Sequence, residues 1–234
     1  TVAQVTGSLL PTTVNNLTIN NTYTGTPDVT LSQNVAVNGT LTMTSGTLAL
    51  STYNLSYGTS AALVYNGTAA QTAGPEWLAA MSRPVTISNT SSSGLTLGSN
   101  KSTSSSVTIT NGGTLTMGTS VISGTGSFTL DGGGTIKTAN TSGLNGSVTT
   151  DTYNFSQSAN YVYNGSNAQV TGSYLPSTVK NFTVDNPNGV TWSGSVTVSG
   201  SLQVLQGNIE LSDQYFRIPV NTITVNAFNV ATST

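Results

Sequence analysis

Ala3-Gln4-Val5-Thr6-Gly7, Leu10-Pro11 and Val14-Asn15-Asn16-Leu17-Thr18-Ile19-Asn20-Asn21 return almost letter for letter further along the chain. The second occurrence reads Ala168-Gln169-Val170-Thr171-Gly172, Leu175-Pro176 and Val179-Lys180-Asn181-Phe182-Thr183-Val184-Asp185-Asn186. A looser copy lies between them, Ala70-Gln71-Thr72-Ala73-Gly74 followed by Val85-Thr86-Ile87-Ser88-Asn89. Tandem copies of one strand-rich unit mark a repeat architecture, in which each unit buries its apolar face against the next. The landmark residues Gln4, Gln71 and Gln169 are 67 and 98 residues apart by subtraction. One continuous array over the 234 residues is expected, with internal units of about 1–63, 64–160 and 161–234.

Between the landmarks run short apolar–polar–apolar triplets. Leu17-Thr18-Ile19, Val35-Ala36-Val37 and Leu41-Thr42-Met43 belong to the first unit, and Val107-Thr108-Ile109 and Leu115-Thr116-Met117 to the second. The third carries Phe182-Thr183-Val184 and Val196-Thr197-Val198. A period of two turns the outer pair inward and the central residue, usually Thr, outward. Strands this short predict an all-β chain wound as a β-solenoid, of the parallel β-helix kind, with like strands stacked about 4.8 Å apart. At roughly 20 residues per coil the chain makes about 11 coils and a rod on the order of 50 Å long. A string of β-sandwich repeats is the alternative, because turn spacing alone does not separate the two.

Asn66-Gly67 and Asn164-Gly165, each after a Val-Tyr or Tyr-Val-Tyr run, read as turns whose residues tolerate positive φ. The second unit is longer than the first interval by 31 residues, by subtraction, and the surplus around 120–150 reads as an inserted rung. Pro75-Glu76-Trp77-Leu78-Ala79-Ala80-Met81 is the one segment that reads as a helix, with Pro at its first position. It replaces the Leu-Pro turn of the other copies, as a cap over a local opening or as a functional bump.

Composition narrows the class of function. Apolar residues are 35% of the chain and charged residues 5%, about a fifth of the usual charged share. Disordered chains show the reverse pattern, charge-rich and poor in β-branched residues. The net charge is −2 and no basic run occurs, which removes the electrostatic footprint of a nucleic-acid or anionic-membrane partner. No apolar stretch approaches the roughly 20 residues of a membrane-spanning helix. The Thr, Ser, Asn and Gly bias favours an extracellular or cell-surface location.

The string Tyr-Asn-Gly-[Thr/Ser]-x-Ala-Gln-x-x-Gly, followed by Leu-Pro-x-Thr-Val-x-Asn-[Leu/Phe]-Thr-[Ile/Val], resembles repeats in very large secreted and surface proteins of Bacteroidetes-type bacteria. The likeness lies in residues 3–21, 64–71 and 161–186 and in the strand runs after each. Such proteins are adhesins or surface-layer components, exported by a dedicated system and sorted by a C-terminal domain. The resemblance therefore implies an adhesive or structural role, with this chain as an excised part or a processed form. It carries no catalytic residues.

Enzyme chemistry finds little to work with. The absence of His and Cys removes triads, thiol nucleophiles and imidazole metal sites. Glu210 and Asp213, with Arg217 nearby, are the one close acid pair that a polysaccharide-degrading β-helix enzyme would use, and a solvated turn explains them more simply. No enzyme activity and no cofactor is expected. Asp185, Asn188 and Asp131 stand beside glycine turns as weak calcium candidates, although a carboxylate bonded to its own turn serves as well. Many Asn-x-Ser/Thr triplets occur, as this composition makes inevitable. Thr42 with Thr44 and Thr108 with Thr110 would form outward hydroxyl rows, a surface for ice or glycans. Finally, Ile223, Val225, Phe228 and Val230 read as a free C-terminal strand. Donated to a neighbouring copy, it would build a homopolymeric filament by strand addition.

Overall fold

The β-branched and leucine-ended triplets form strands two to nine residues long, and neighbours in space are neighbours one turn apart in the chain. A computed structural model describes residues 2–23, 25–212, 214, 216–217 and 222–225. The chain is nearly all β, a parallel β-solenoid of about nine turns. In the first turn the strands Gln4–Val5, Thr13–Val14 and Leu17–Asn20 occupy three faces. Each pairs in parallel with its successor a turn later: Val29–Thr30, Val35–Val37 and Thr40–Ser45.

One face grows into a nine-stranded sheet. Along it Thr18 pairs with Thr42, Thr42 with Val64, Val64 with Thr86, Thr86 with Thr108, Thr108 with Thr129 and Thr129 with Asn154. Those steps are 24, 22, 22, 22, 21 and 25 residues by subtraction. The turns are thus longer than 20 residues, which is why there are about nine rather than 11. The axial rise is roughly 40 Å at about 4.8 Å per turn.

Side chains follow the period of two. Leu41, Leu63, Val85, Val107 and Phe128 form one buried column, and Met43, Tyr65, Ile87, Ile109 and Leu130 the next. Each such side chain contributes about 1.5–3 kcal/mol on burial. Because columns of like residues repeat at a fixed height, the core extends along the whole rod instead of closing into one centre.

The segment 120–150 adds length in an informative way. The strands Ile122–Leu130 and Val148–Phe155 run unbroken across two faces, and one helical turn, Leu144–Ser147, leads into the second of them. Ile19 and Ile87 lie three turns apart on the nine-stranded sheet, through Met43 and Tyr65. Val184, the matching residue of the third copy, lies instead on the eight-stranded sheet, after Tyr163. From Ile87 the chain therefore advances four turns and one face, and the third copy is rotated by one side of the coil.

Pro75–Met81 is not the expected helix. Residues 75 and 76 form a turn, Trp77 N–H donates to the Gly74 carbonyl, and Ala80–Met81 is a strand paired with Ser102 and Thr103. Seven residues are too few to hold a helix against that competition. Ile223 and Val225 are not a free strand either. Thr222–Val225 is the outermost rung of the eight-stranded sheet, with Ile223 opposite Leu202 and Val225 opposite Val204. Phe228 and Val230 lie outside the described residues.

Candidate functional surface

The landmark glutamines Gln71 and Gln169 turn inward, whereas Gln4 of the first copy is exposed. Gln71 Oε1 accepts from Asn89 Nδ2 at 2.7 Å and from Gly67 N–H at 3.3 Å, while its Nε2 donates to the Met43 carbonyl at 3.0 Å. Gln169 repeats the pattern: Asn186 Nδ2 and Gly165 N–H donate to Oε1, each at 2.8 Å, and Nε2 donates to the Thr138 and Asn140 carbonyls. In the first copy Asn21 Nδ2 donates to Gln4 Oε1 at 3.1 Å. Asn21, Asn89 and Asn186 are all buried, and each closes its own turn by accepting a backbone N–H two residues on. One glutamine thus ties three stacked corners of successive turns. Buried amides are costly unless bonded, and here they hold the corner in a single register.

This arrangement changes the meaning of Asn-Gly. Gly67 and Gly165 do not have the positive φ that the dipeptide suggests. They are glycines because the glutamine lies against them: a Cβ on Gly67 would meet Gln71 Oε1 at 2.6 Å and the Thr44 carbonyl at 2.7 Å. The recurring tyrosines are structural as well. Tyr163 is fully buried with its hydroxyl donating to the Thr171 carbonyl, and Tyr161 donates to the Ser156 carbonyl.

A buried ionisable group went unread in the sequence. Glu76 is 1% exposed, with Oε1 accepting from Tyr65 Oη at 2.7 Å and Gly74 N–H at 2.8 Å. Tyr57 Oη donates to the Glu76 carbonyl, and Lys101 Nζ donates to the Trp77 carbonyl. Burial, reinforced by the Glu76 charge, pushes the phenols of Tyr57 and Tyr65 well above the ordinary tyrosine range. Burial also pulls the Lys101 ammonium below the usual lysine range, against the opposing pull of Glu76. No spacing pattern advertises such a group, because it stands two residues after Gly74, where the other copies carry Leu9 and Tyr174.

The polar candidates fall on the outside. Thr42 and Thr108 lie in the central outward column of the nine-stranded sheet, with Thr18, Val64, Thr86, Thr129 and Asn154. Thr44 Oγ1 donates to Asn66 Oδ1, and Thr110 Oγ1 to Ser88 Oγ, both at 2.9 Å, so those hydroxyls bond along the rod. Asp185 Oδ1 accepts from Gln206 Nε2, and Asn188 Nδ2 donates to the Ser166 carbonyl. The Asp131 turn is closed by its backbone, Gly134 N–H donating to the Asp131 carbonyl. The structure does not bring Asp131 together with Asp185 and Asn188: it follows the strand Ile122–Leu130, whereas Asp185 closes Asn181–Asp185, turns away. Among the described residues no three acidic side chains cluster. Glu210 is exposed, with Thr191 Oγ1 and Asn208 Nδ2 on its carboxylate, and Asp213 lies outside the described residues. No described helix is long and apolar enough to cross a membrane.

Compared with protein-family models, curated proteins and solved structures, the chain matches none of them.

Proposed function

We propose that this chain is a structural and adhesive segment of a secreted bacterial surface protein, a rigid rod that engages its target through many weak contacts. The observation that carries the reading is the outward column from Thr18 to Asn154, in register over seven successive strands. Polar groups at a fixed repeat along a stiff axis suit an extended partner, and avidity rather than a single pocket supplies the strength. The internal amide ties at Gln71 and Gln169 support rigidity under load. The test is adhesion of beads coated with the chain, against the free monomer, on bacterial cells, polysaccharide films and protein films. Bead attachment far stronger than monomer binding is expected. Beads that attach to nothing overturn the adhesive reading.

A second reading, an ice- or glycan-binding face, is favoured by the threonine column itself. Val64 interrupts that column, and Thr44 and Thr110 spend their hydroxyl protons on Asn66 and Ser88. These features favour an irregular hydrated glycan over an ice lattice, and thermal hysteresis of the purified chain separates the two. Self-association is read on negative-stain grids. Ile223 and Val225 are already paired within the chain, so fibres that involve this strand would grow by stacking of turns on it, while isolated short rods indicate a stalk segment.

A further inference from the structure

The nine-stranded sheet ends at Val148–Phe155, and an aromatic stack finishes this last rung. Tyr153 pairs with Phe128, which is wholly buried, yet Tyr153 is 44% exposed. Among the described residues no strand other than Ile122–Leu130 pairs with Val148–Phe155. Instead Tyr174, from the loop after Gly172, stacks on its ring with centroids 3.9 Å apart and planes 25° apart. The loop is pinned in place: Tyr174 N–H donates to Asn145 Oδ1, Asn145 Nδ2 to Ser173 Oγ, and Gly172 N–H to Ser193 Oγ. The repeat does not require the aromatic ring, because the first copy has Leu9 at the same place, 95% exposed.

From Ser173 a groove of about 270 Å³ opens, floored by Leu175 and Val196 and edged by the exposed hydroxyl-bearing Ser177, Ser193 and Ser195. It has no charged side chain in its wall. A sugar ring presents the matching chemistry: an apolar C–H face for an aromatic ring, and a rim of neutral hydroxyls for serine and asparagine. An anionic ligand would find no cation there.

We infer that the Tyr153–Tyr174 stack and the adjoining serine-edged groove form a subsite for one neutral pyranose ring of a glycan chain. The inference rests on the adhesive reading and names where it acts. Because the stack and its loop are held by bonds within the chain, the site is formed before the ligand arrives, and little ordering cost attends binding. The volume is below the range of about 300–1,000 Å³ typical of sites for drug-sized ligands, as one ring requires.

The test uses the whole chain, on beads and free, against the neutral polysaccharides laminarin, xyloglucan and mannan, with anionic alginate as the control. Tyr174→Leu installs the residue of the first copy and is expected to fold as the parent does, which thermal melting checks. Binding to at least one neutral glycan and not to alginate is expected, falling by about tenfold or more in Tyr174→Leu, as removal of an aromatic anchor does. Tyr174→Phe keeps the ring and should keep most of the binding. Neutral-glycan binding that Tyr174→Leu leaves unchanged overturns the subsite but not the adhesive role. Beads that hold cells or protein films and no neutral glycan also overturn the subsite alone. Beads that hold nothing overturn both.

Discussion

The corner at residues 65–91 and the corner at 163–188 are built from the same parts on different sides of the rod. In the first, Gln71 and Asn89 bond below a strand of the nine-stranded sheet; in the second, Gln169 and Asn186 do so below a strand of the eight-stranded sheet. The repeat therefore encodes a corner, and the corner does not depend on the face that leads into it. Rotating one copy by a side costs the fold nothing that the glutamine can sense, because its partners all come from stacked corners. Beyond the corner the copies part. After Gly74 comes a buried carboxylate; after Gly172 comes a half-exposed tyrosine.

The largest way to break this equivalence is to remove the glutamines one at a time. Gln169→Ala leaves the Gly165 N–H and one Asn186 amide proton without an acceptor, and Gln71→Ala does the same to the Gly67 N–H and Asn89, while the carbonyls each glutamine binds keep a backbone N–H donor. Each buried orphan costs about 1–3 kcal/mol, and with some relaxation we expect a loss of about 3–5 kcal/mol in either variant. A linear array opens locally, so native-state hydrogen exchange on the flanking turns is the measurement. Losses that agree to within about 1 kcal/mol support one device used twice, a margin set by independent sites. Loss of protection at only one corner separates them.

How much of this could be read beforehand follows from what each residue does. The triplets such as Val107-Thr108-Ile109 announce short strands buried on one side, and it is their tandem repetition that favours a solenoid over the β-sandwich repeats the same period allows. The motif glutamine and asparagine announced a repeat but not their bonding, because amides that bond across turns leave no local pattern. Asn66-Gly67 misled for a related reason: positive φ and close approach both demand glycine, and only the position of Gln71 distinguishes them. Glu76 misled more, since Pro-Glu-Trp-Leu-Ala-Ala reads as a helix until the strand Ala80–Met81 is seen to pair with Ser102 and Thr103. The stack of Tyr153 on Tyr174 depends on where a sheet stops, which no segment of 20 residues contains.

The second difference between the corners is electrostatic, and alkali should expose it. Burial raises all four of Tyr57, Tyr65, Tyr161 and Tyr163, and to it the Glu76 charge adds for Tyr57 and Tyr65 but only a neighbouring phenol for Tyr163. All four are held protonated in the folded chain above the ordinary value of 10.0. Their contribution to stability is complete below that pH and is lost progressively as pH rises from there toward the raised values of the folded chain, because in that window only the unfolded chain releases those protons. Each such phenol lowers stability by up to about 1.4 kcal/mol per pH unit above 10. Tyrosinate absorbance against pH, followed with hydrogen exchange, should show a cooperative alkaline transition. Glu76→Gln removes the charge and should bring the Tyr57 and Tyr65 end of the rod closer to the other. An unchanged titration in Glu76→Gln would mean that burial alone sets those phenols.

The smallest effect sharpens the comparison most. Gly67→Ala and Gly165→Ala each place a methyl group against the glutamine, and overpacking of this kind costs about 1–3 kcal/mol. The two should not cost the same. The Gly67 methyl would meet the Thr44 carbonyl at 2.7 Å as well as Gln71 Oε1, whereas the Gly165 methyl has 3.1 Å to the Ala139 carbonyl and meets chiefly the end of Gln169. A side-chain tip can yield and a strand carbonyl cannot, so Gly67→Ala should be the worse of the pair. In a Gln169→Ala background the penalty of Gly165→Ala should nearly vanish, since its obstacle is gone, while Gly67→Ala should keep part of its cost beside Gln71→Ala. Equal and persistent penalties in both backgrounds would show that the backbone, not the glutamine, demands glycine at these corners.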